Sequence, residues 1–70
     1  MNRQFVVSSN LRSVGYDPKE QKLEIEFVNG SVYVYSRVPE QVFHQLMQAP
    51  SKGRYHHAAI RDRYGYRRIW

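Results

Sequence analysis

Residues 22–35 read KLEIEFVNGSVYVY, and this stretch decides the fold. Its first half alternates charged and apolar side chains, which is typical of a strand with one buried face. Asn29 and Gly30 follow as a strong turn signal, because both residue types tolerate a positive φ angle. The second half is rich in valine and tyrosine, which favour strands. The stretch therefore predicts a β-hairpin.

The length of the hairpin turn decides which face of the sheet Tyr33 and Tyr35 occupy. A two-residue turn would pair Ile25 with Val34 and place both rings on the solvent face. A three-residue loop with a bulge at Gly30 would pair Ile25 with Tyr33 and place both rings on the core face. A slip of one residue flips every side chain, so the two registers exclude each other. The local sequence leaves both open.

The segment before the hairpin adds one more predicted strand. Leu11 to Tyr16 reads as a strand, and Asp17-Pro18 then provides turn chemistry. Residues 11–37 together predict a three-stranded antiparallel meander. Residues 1–10 are predicted to form a loose tail or a short edge strand, so the single domain is expected to span 11–70.

Two helices are predicted after the sheet. Pro39 suits the start of the first helix, and Pro50 ends it because the residue before a proline avoids the helical region. Ser51 is a plausible N-cap for a second helix that runs to about Arg61 or Arg63, followed by an irregular tail. The first helix carries an apolar stripe at helical spacing: Val42, Phe43, Leu46 and Met47. The predicted fold is α+β, with both helices packed on the apolar face of the sheet.

Composition narrows the class of protein. A chain of 70 residues can bury one modest core, and without cysteine neither a disulfide nor a thiolate metal site can stabilise it. The lack of cysteine fits a cytoplasmic protein. Apolar runs are too short for a membrane span or a signal peptide. A pI near 9.9 favours acidic partners.

The net charge is concentrated at one end of the chain. Residues 51–70 hold six cationic side chains and one acid, which gives this segment the whole net charge of +5. Cations attract phosphate, and aromatic rings stack on bases. A solvated tail whose tyrosines pack on the sheet is one interpretation of this segment, and a surface that binds nucleic acid is the other. Its candidate contact residues are Lys52, Arg54, Tyr55, Arg61, Arg63, Tyr64, Tyr66, Arg67 and Arg68.

The start of the second helix is a candidate anion site. A helix N-terminus exposes unpaired N–H groups and the positive end of the helix dipole. Ser51 and Gly53 would supply the cap and a close backbone approach, and Lys52 and Arg54 would supply charge. An ordinary capped helix with solvated cations is the competing interpretation.

Catalysis, metal binding and cofactor binding are not predicted. His56 and His57 are adjacent and point about 100° apart on a helix, so they cannot chelate a metal together. Neither they nor His44 belongs to a recognisable set of nucleophile, base and orienting group.

The order of these features resembles the KTSC domain, a family named for the C-terminal domain of lysyl-tRNA synthetase. The resemblance covers about Leu11 to Ile69. The matching residues are Val14-Gly15-Tyr16, Leu23 to Phe27, Gly30 to Tyr35, Val38-Pro39, Ser51 to Tyr55, Ile60-Arg61 and Tyr64 to Ile69.

The resemblance bears on register and on function. Only the outer positions of Tyr33-Val34-Tyr35 are specified in the family pattern, which favours the register that buries both rings. His56-His57 stands in place of an expected aromatic-plus-Asn pair, so no role of that Asn is transferred. Because some family members are attached to a tRNA-charging enzyme, the resemblance implies RNA as a partner. A small phosphorylated nucleotide and an acidic protein are the alternatives.

Overall fold

The computed structural model describes residues 2–70. One antiparallel sheet contains five strands in the order of the chain, two more than the sequence predicted. The strands are β1 (Arg3–Phe5), β2 (Leu11–Asp17), β3 (Lys22–Phe27), β4 (Val32–Tyr35) and β5 (Tyr66–Arg68). Two helices, α1 (Glu40–Gln48) and α2 (Lys52–Ala59), lie in the chain between β4 and β5. The α+β class is confirmed, and the count of three strands is wrong.

The hairpin between β3 and β4 uses the three-residue loop. Gly30 has a φ of 92°, and the Phe27 amide donates to the Ser31 carbonyl oxygen at 2.9 Å. This bulge pairs Ile25 with Tyr33 and brings Leu23 opposite Tyr35. Tyr33 and Tyr35 therefore lie on the core face, as the family pattern favours.

The first additional strand, β1, lies at the edge of the sheet beside β2. Arg3 pairs with Gly15 of β2, and Gly15 in turn pairs with Glu24 of β3. Because Gly15 has no side chain between them, the Arg3 guanidinium reaches the Glu24 carboxylate at 2.7 Å. This ion pair links β1 to β3 across β2, on the face of the sheet opposite the helices.

The second additional strand, β5, corrects the prediction of an irregular C-terminal tail. Residues 66–68 pair with β4, with Tyr66 opposite Tyr35 and Arg68 opposite Tyr33. The unpaired edge of β4 offers N–H and C=O groups that a three-residue segment can satisfy. Such a short strand carries no periodic signal of its own.

The two helices pack against the core face of the sheet. α1 ends at Gln48, with Ala49 as its C-cap before Pro50, as predicted. α2 begins after Ser51, whose side chain caps it by accepting from the Arg54 amide. It ends at Ala59, earlier than predicted, because Ile60 leaves the helical region with a φ of −120° and enters the core.

The core lies between the helices and the sheet. Leu46 of α1 and Ile60 after α2 are fully buried against side chains of β2, β3 and β4. The apolar stripe of α1 packs there as predicted. No helix within residues 2–70 has the length and hydropathy to span a membrane. The buried cluster comprises Leu11, Val14, Leu23, Ile25, Tyr35, Val38, Leu46 and Ile60.

Candidate nucleic-acid interface

An open pocket of about 380 Å³ lies where the β3–β4 hairpin, α2 and β5 meet. We call it the aromatic pocket. Rings form most of its apolar lining, and one arginine and one aspartate from the turn after α2 complete it. Its lining residues are Phe27, Asn29, Ser31, Tyr33, Tyr35, His56, Arg61, Asp62 and Tyr66.

Two tyrosines provide the accessible ring surface of the pocket. Tyr66 is 60% exposed, and its ring centre lies 5.4 Å from that of the half-buried Tyr33. Phe27 meets Tyr33 edge to face at 5.6 Å, which restrains the Tyr33 ring. Because β5 is paired in register with β4, both tyrosines project from a sheet and not from a mobile loop. A flat ligand can stack on rings held in this way.

The base of the pocket is closed by a hydrogen bond between a strand and a helix. Tyr35 Oη and His56 Nε2 lie 2.8 Å apart, and Tyr35 is only 3% exposed. Burial raises the pKa of Tyr35 to about 12. Burial, together with the positive charge of Arg61, lowers the pKa of His56. Both side chains are therefore neutral near pH 7, and their hydrogen bond holds α2 against the sheet.

The polar groups of the pocket come from the hairpin loop and from the turn after α2. Asn29 Oδ1 accepts from the Ser31 amide at 3.0 Å and from the Ser31 hydroxyl at 2.7 Å. The exposed Arg61 guanidinium lies 3.1 Å from His57 Nδ1, one turn back along the chain. Arg61 thus stands beside the rings with most of its hydrogen-bonding capacity open to a ligand.

A second depression, of about 340 Å³, continues from the aromatic pocket along α2. The two share Phe27, Asn29, His56 and Arg61. The second extends to Gly53 at the start of α2. The two depressions therefore adjoin along the surface between the hairpin loop and the start of α2.

The predicted anion site at the start of α2 has the expected cap but a different use for its glycine. A Cβ on Gly53 would lie 2.5 Å from Asn10 Nδ2, so the space that the glycine leaves is filled by a side chain. Lys52 Nζ donates back to the Ala49 carbonyl oxygen at 3.3 Å. Arg54 is exposed. Anion binding at Ser51 to Arg54 stays a prediction.

The other predicted contact residues are divided between surfaces. Tyr55 and Tyr64 are half-buried against the core, and Tyr55 Oη donates to Gln45 Oε1 at 2.7 Å. Arg67 pairs with Val34 and so lies on the face opposite the aromatic pocket. The structure brings Arg61 and Tyr66 together in the aromatic pocket, whereas Tyr55 and Tyr64 pack against the core.

The cations at the end of the chain are exposed. Arg63 lies in the turn after α2, and Arg68 lies opposite Tyr33 on the same face of the sheet. Arg68 Nε donates to the Trp70 carbonyl oxygen at 2.7 Å.

Besides Tyr33 and Tyr35, sequence reasoning missed five residues that line the pocket, namely Phe27, Asn29, Ser31, His56 and Asp62. Their positions follow from the bulged register and from the way α2 crosses the hairpin, which short-range patterns do not encode. Tyr33 and Tyr35 had been assigned to the core together. Tyr35 is buried there, but Tyr33 is only half covered. The Tyr-x-Tyr spacing indicates that both rings share one strand face, but it does not indicate how far the helices cover that face.

Known proteins are similar to this chain in sequence and in architecture. The family model for the KTSC domain matches residues 7–64. The crystal structure of a KTSC domain protein from Yersinia pestis superimposes with a TM-score of 0.93 at 41% identity, covering 99% of this chain and 97% of that one.

Sequence relatives include both small proteins and segments of larger ones. An uncharacterized protein from Stutzerimonas stutzeri is 44% identical over 70 residues, 99% of each chain. A lysine–tRNA ligase from Nostoc sp. is 39% identical over 61 residues, which are 87% of this chain but 11% of the ligase. With its family pattern matched over most of its length, the chain belongs to the KTSC domain family.

Proposed function

We propose that this KTSC domain is a non-catalytic module that binds single-stranded RNA through the aromatic pocket. The observation that carries the proposal is the grouping of the exposed Tyr66 ring, the half-exposed Tyr33 ring and the Arg61 guanidinium around one open pocket. A base would stack on the rings, and Arg61 would bind the adjoining phosphate. A base held in a duplex could not enter such a pocket, so the RNA is expected to be single-stranded.

The distribution of charge supports a polymer as the ligand. Arg54, Arg61, Arg63 and Arg68 are exposed at separate points along the C-terminal segment, and a single nucleotide could not reach them all. The relation to a segment of lysine–tRNA ligases favours RNA among anionic polymers. The second depression beside α2 gives an extended strand a path beyond the first base.

A small phosphorylated nucleotide is the second candidate, because a volume of about 380 Å³ is within the range of small-molecule sites. The two candidates differ in their dependence on length. RNA binding strengthens as phosphates are added, whereas nucleotide binding does not.

The test is a titration of the protein with single-stranded oligouridylate of eight residues, with uridine monophosphate and with a duplex, each at two salt concentrations. With about four phosphate contacts, log Kd against log salt is expected to have a slope magnitude of about 3 for the oligonucleotide. Arg61→Ala should reduce the slope by about one unit or less. Lys19→Ala is the matched control, since Lys19 is exposed in the β2–β3 turn and lines none of the described pockets.

Three outcomes decide between the candidates. Binding of the oligonucleotide with this salt dependence supports the RNA proposal. Equal affinity for the monophosphate and the oligonucleotide would replace it with the nucleotide candidate. No binding of any of these ligands at low salt would remove both and leave an acidic protein as the expected partner.

A further inference from the structure

Asp62 is an unexpected residue in the proposed RNA site. It is the only acid among residues 51–70, and it lines the aromatic pocket beside Tyr33 and Tyr66. It lies between Arg61 and Arg63 in sequence, yet no cation within residues 2–70 forms an ion pair with it. A carboxylate at a phosphate-binding surface weakens the attraction unless it contacts a different part of the ligand.

From this placement we infer that the aromatic pocket selects guanine, with Asp62 accepting hydrogen bonds from the base. The inference rests on the RNA-binding function proposed above. An ionised carboxylate only accepts hydrogen bonds, and its two oxygens suit a ligand with two parallel N–H donors. On the Watson–Crick edge of guanine, the N1–H and N2 amino groups lie side by side and supply that pair.

The remaining polar groups of the pocket complement the same edge. The oxygen of the Asn29 side chain is already occupied by the Ser31 amide and hydroxyl, so its amide nitrogen is left as a donor. Arg61 supplies further donors at the same pocket. Guanine presents O6 on that edge, and N7 on the adjoining Hoogsteen edge, as acceptors to such groups.

The other bases fit this set of groups less well. Adenine and cytosine each offer one amino group, and the atom next to it on the same edge is an acceptor, which a carboxylate repels. Uracil has a single N–H between two carbonyl oxygens. Cationic ligands, which aromatic pockets with an acid also attract, are disfavoured because Arg61 lines the same pocket.

The experiment compares heptamers of uridylate whose central residue is uridine, guanosine, adenosine, cytidine or inosine. The wild-type protein should bind the guanosine heptamer on the order of 10-fold more tightly than the adenosine and cytidine heptamers. Inosine lacks the N2 amino group and should fall between guanosine and adenosine. Asp62→Asn should lose the preference for guanosine while binding the uridine heptamer at least as tightly as wild type.

Glu20→Gln is the matched control, because it removes one negative charge from the exposed β2–β3 turn and should keep the guanosine preference. Equal affinity of the wild-type protein for all five heptamers would overturn the guanine inference and leave RNA binding intact. Absence of binding to every heptamer would overturn RNA binding itself, and guanine selection with it. A preference that survives in a folded Asp62→Asn variant would show that another group reads the base.

Discussion

Tyr33 and Tyr35 stand on the same face of the same strand, with ring centres 6.3 Å apart, and both line the aromatic pocket, yet they lie in two differently covered regions of that face. Tyr35 lies where α2 covers the sheet, is 3% exposed and has its hydroxyl bonded to His56. Tyr33 lies two residues nearer the hairpin loop, half-exposed in the wall of the aromatic pocket. The same residue type is thus buried in the core at position 35, whereas at position 33 its ring stays partly accessible in the wall of the pocket.

The difference between these regions arises from the length of α2. The helix ends at Ala59, and Ile60 turns inward to fill the core. The sheet face beyond it is bordered by side chains of the hairpin, of α2, of the following turn and of β5. The sequence predicted a longer second helix. In such a helix Arg61 and Asp62 would be helical residues and would not line the pocket from a turn.

The largest expected effect is the loss of stability on replacing Tyr35 by alanine, which should exceed the loss on replacing Tyr33. Tyr35→Ala should lower the free energy of unfolding by about 3 kcal/mol or more, because it leaves a cavity among Leu23, Ile60 and the rest of the core. Tyr33→Ala should cost about 1–2 kcal/mol, since its ring is half-exposed. RNA affinity should respond in the opposite order, with about 1–3 kcal/mol lost on removal of the Tyr33 ring.

Urea unfolding and RNA titration of both variants measure this contrast. Tyr35→Phe is the control, since it keeps the ring and removes only the hydrogen bond to His56, at a cost of about 1 kcal/mol. Equal destabilisation by the two alanine substitutions would contradict the assignment of Tyr33 to the pocket.

The second effect concerns the turn that places both rings. Gly30 has a φ of 92°, and a Cβ built there meets no atom within 4 Å, so backbone strain alone opposes a side chain. Gly30→Ala should therefore destabilise the protein by about 1–2 kcal/mol. Gly65 is the matched control, because its surroundings are equally open and its φ is not positive. Gly65→Ala should change stability by about 0.5 kcal/mol or less.

The register itself should survive in Gly30→Ala, because a slip would move Ile25 and Leu23 from the core to solvent. Contacts between Ile25 and Tyr33 across the strands, measured by nuclear Overhauser effects, would establish this. Loss of those contacts in a folded variant would show that Gly30, and not the buried face, fixes the register.

These comparisons also show which parts of the fold were predictable from sequence. The hairpin, both helix starts and the apolar stripe of α1 follow from period, turn chemistry and caps, which act over a few residues. β1 and β5 contain three residues each, too few for a period, and they form because partners distant in sequence offer unpaired backbone groups. The formation of those two strands therefore depends on pairing in the folded protein, and a local sequence pattern does not contain that information.

Only the part of the candidate site that the end of the chain contributes was predictable. Arg61 and Tyr66 stood out because cations and rings are concentrated in the last residues of the chain. Phe27 and His56 did not, since Phe27 reads as core and His56 as a helix position without a partner. Their meeting beneath the pocket, with ring centres 5.1 Å apart, depends on where α2 crosses the hairpin.

The smallest expected effect is a dependence of stability on pH carried by His56. Burial against Tyr35 and Phe27, with the charge of Arg61 nearby, lowers the pKa of His56 below its ordinary value of 6.5 in the folded protein. In the unfolded chain this imidazole takes up a proton as the pH falls through about 6.5. The unfolded state then binds more protons than the folded one, so the stability present above that pH is lost as the pH decreases towards the folded pKa.

Urea midpoints measured at pH 7.5, 6.5 and 5.5 should therefore fall with decreasing pH in the wild-type protein. His56→Gln should be less stable at pH 7.5, because the hydrogen bond to Tyr35 is weakened, but its midpoint should depend less on pH over this range. His44→Gln is the control, since His44 lies on the exposed side of α1 beside Glu40 and outside the pocket. An undiminished pH dependence in His56→Gln would place the responsible group elsewhere. It would show that the His56 imidazole, which lies over the covered part of the sheet, does not make the stability of the protein sensitive to pH.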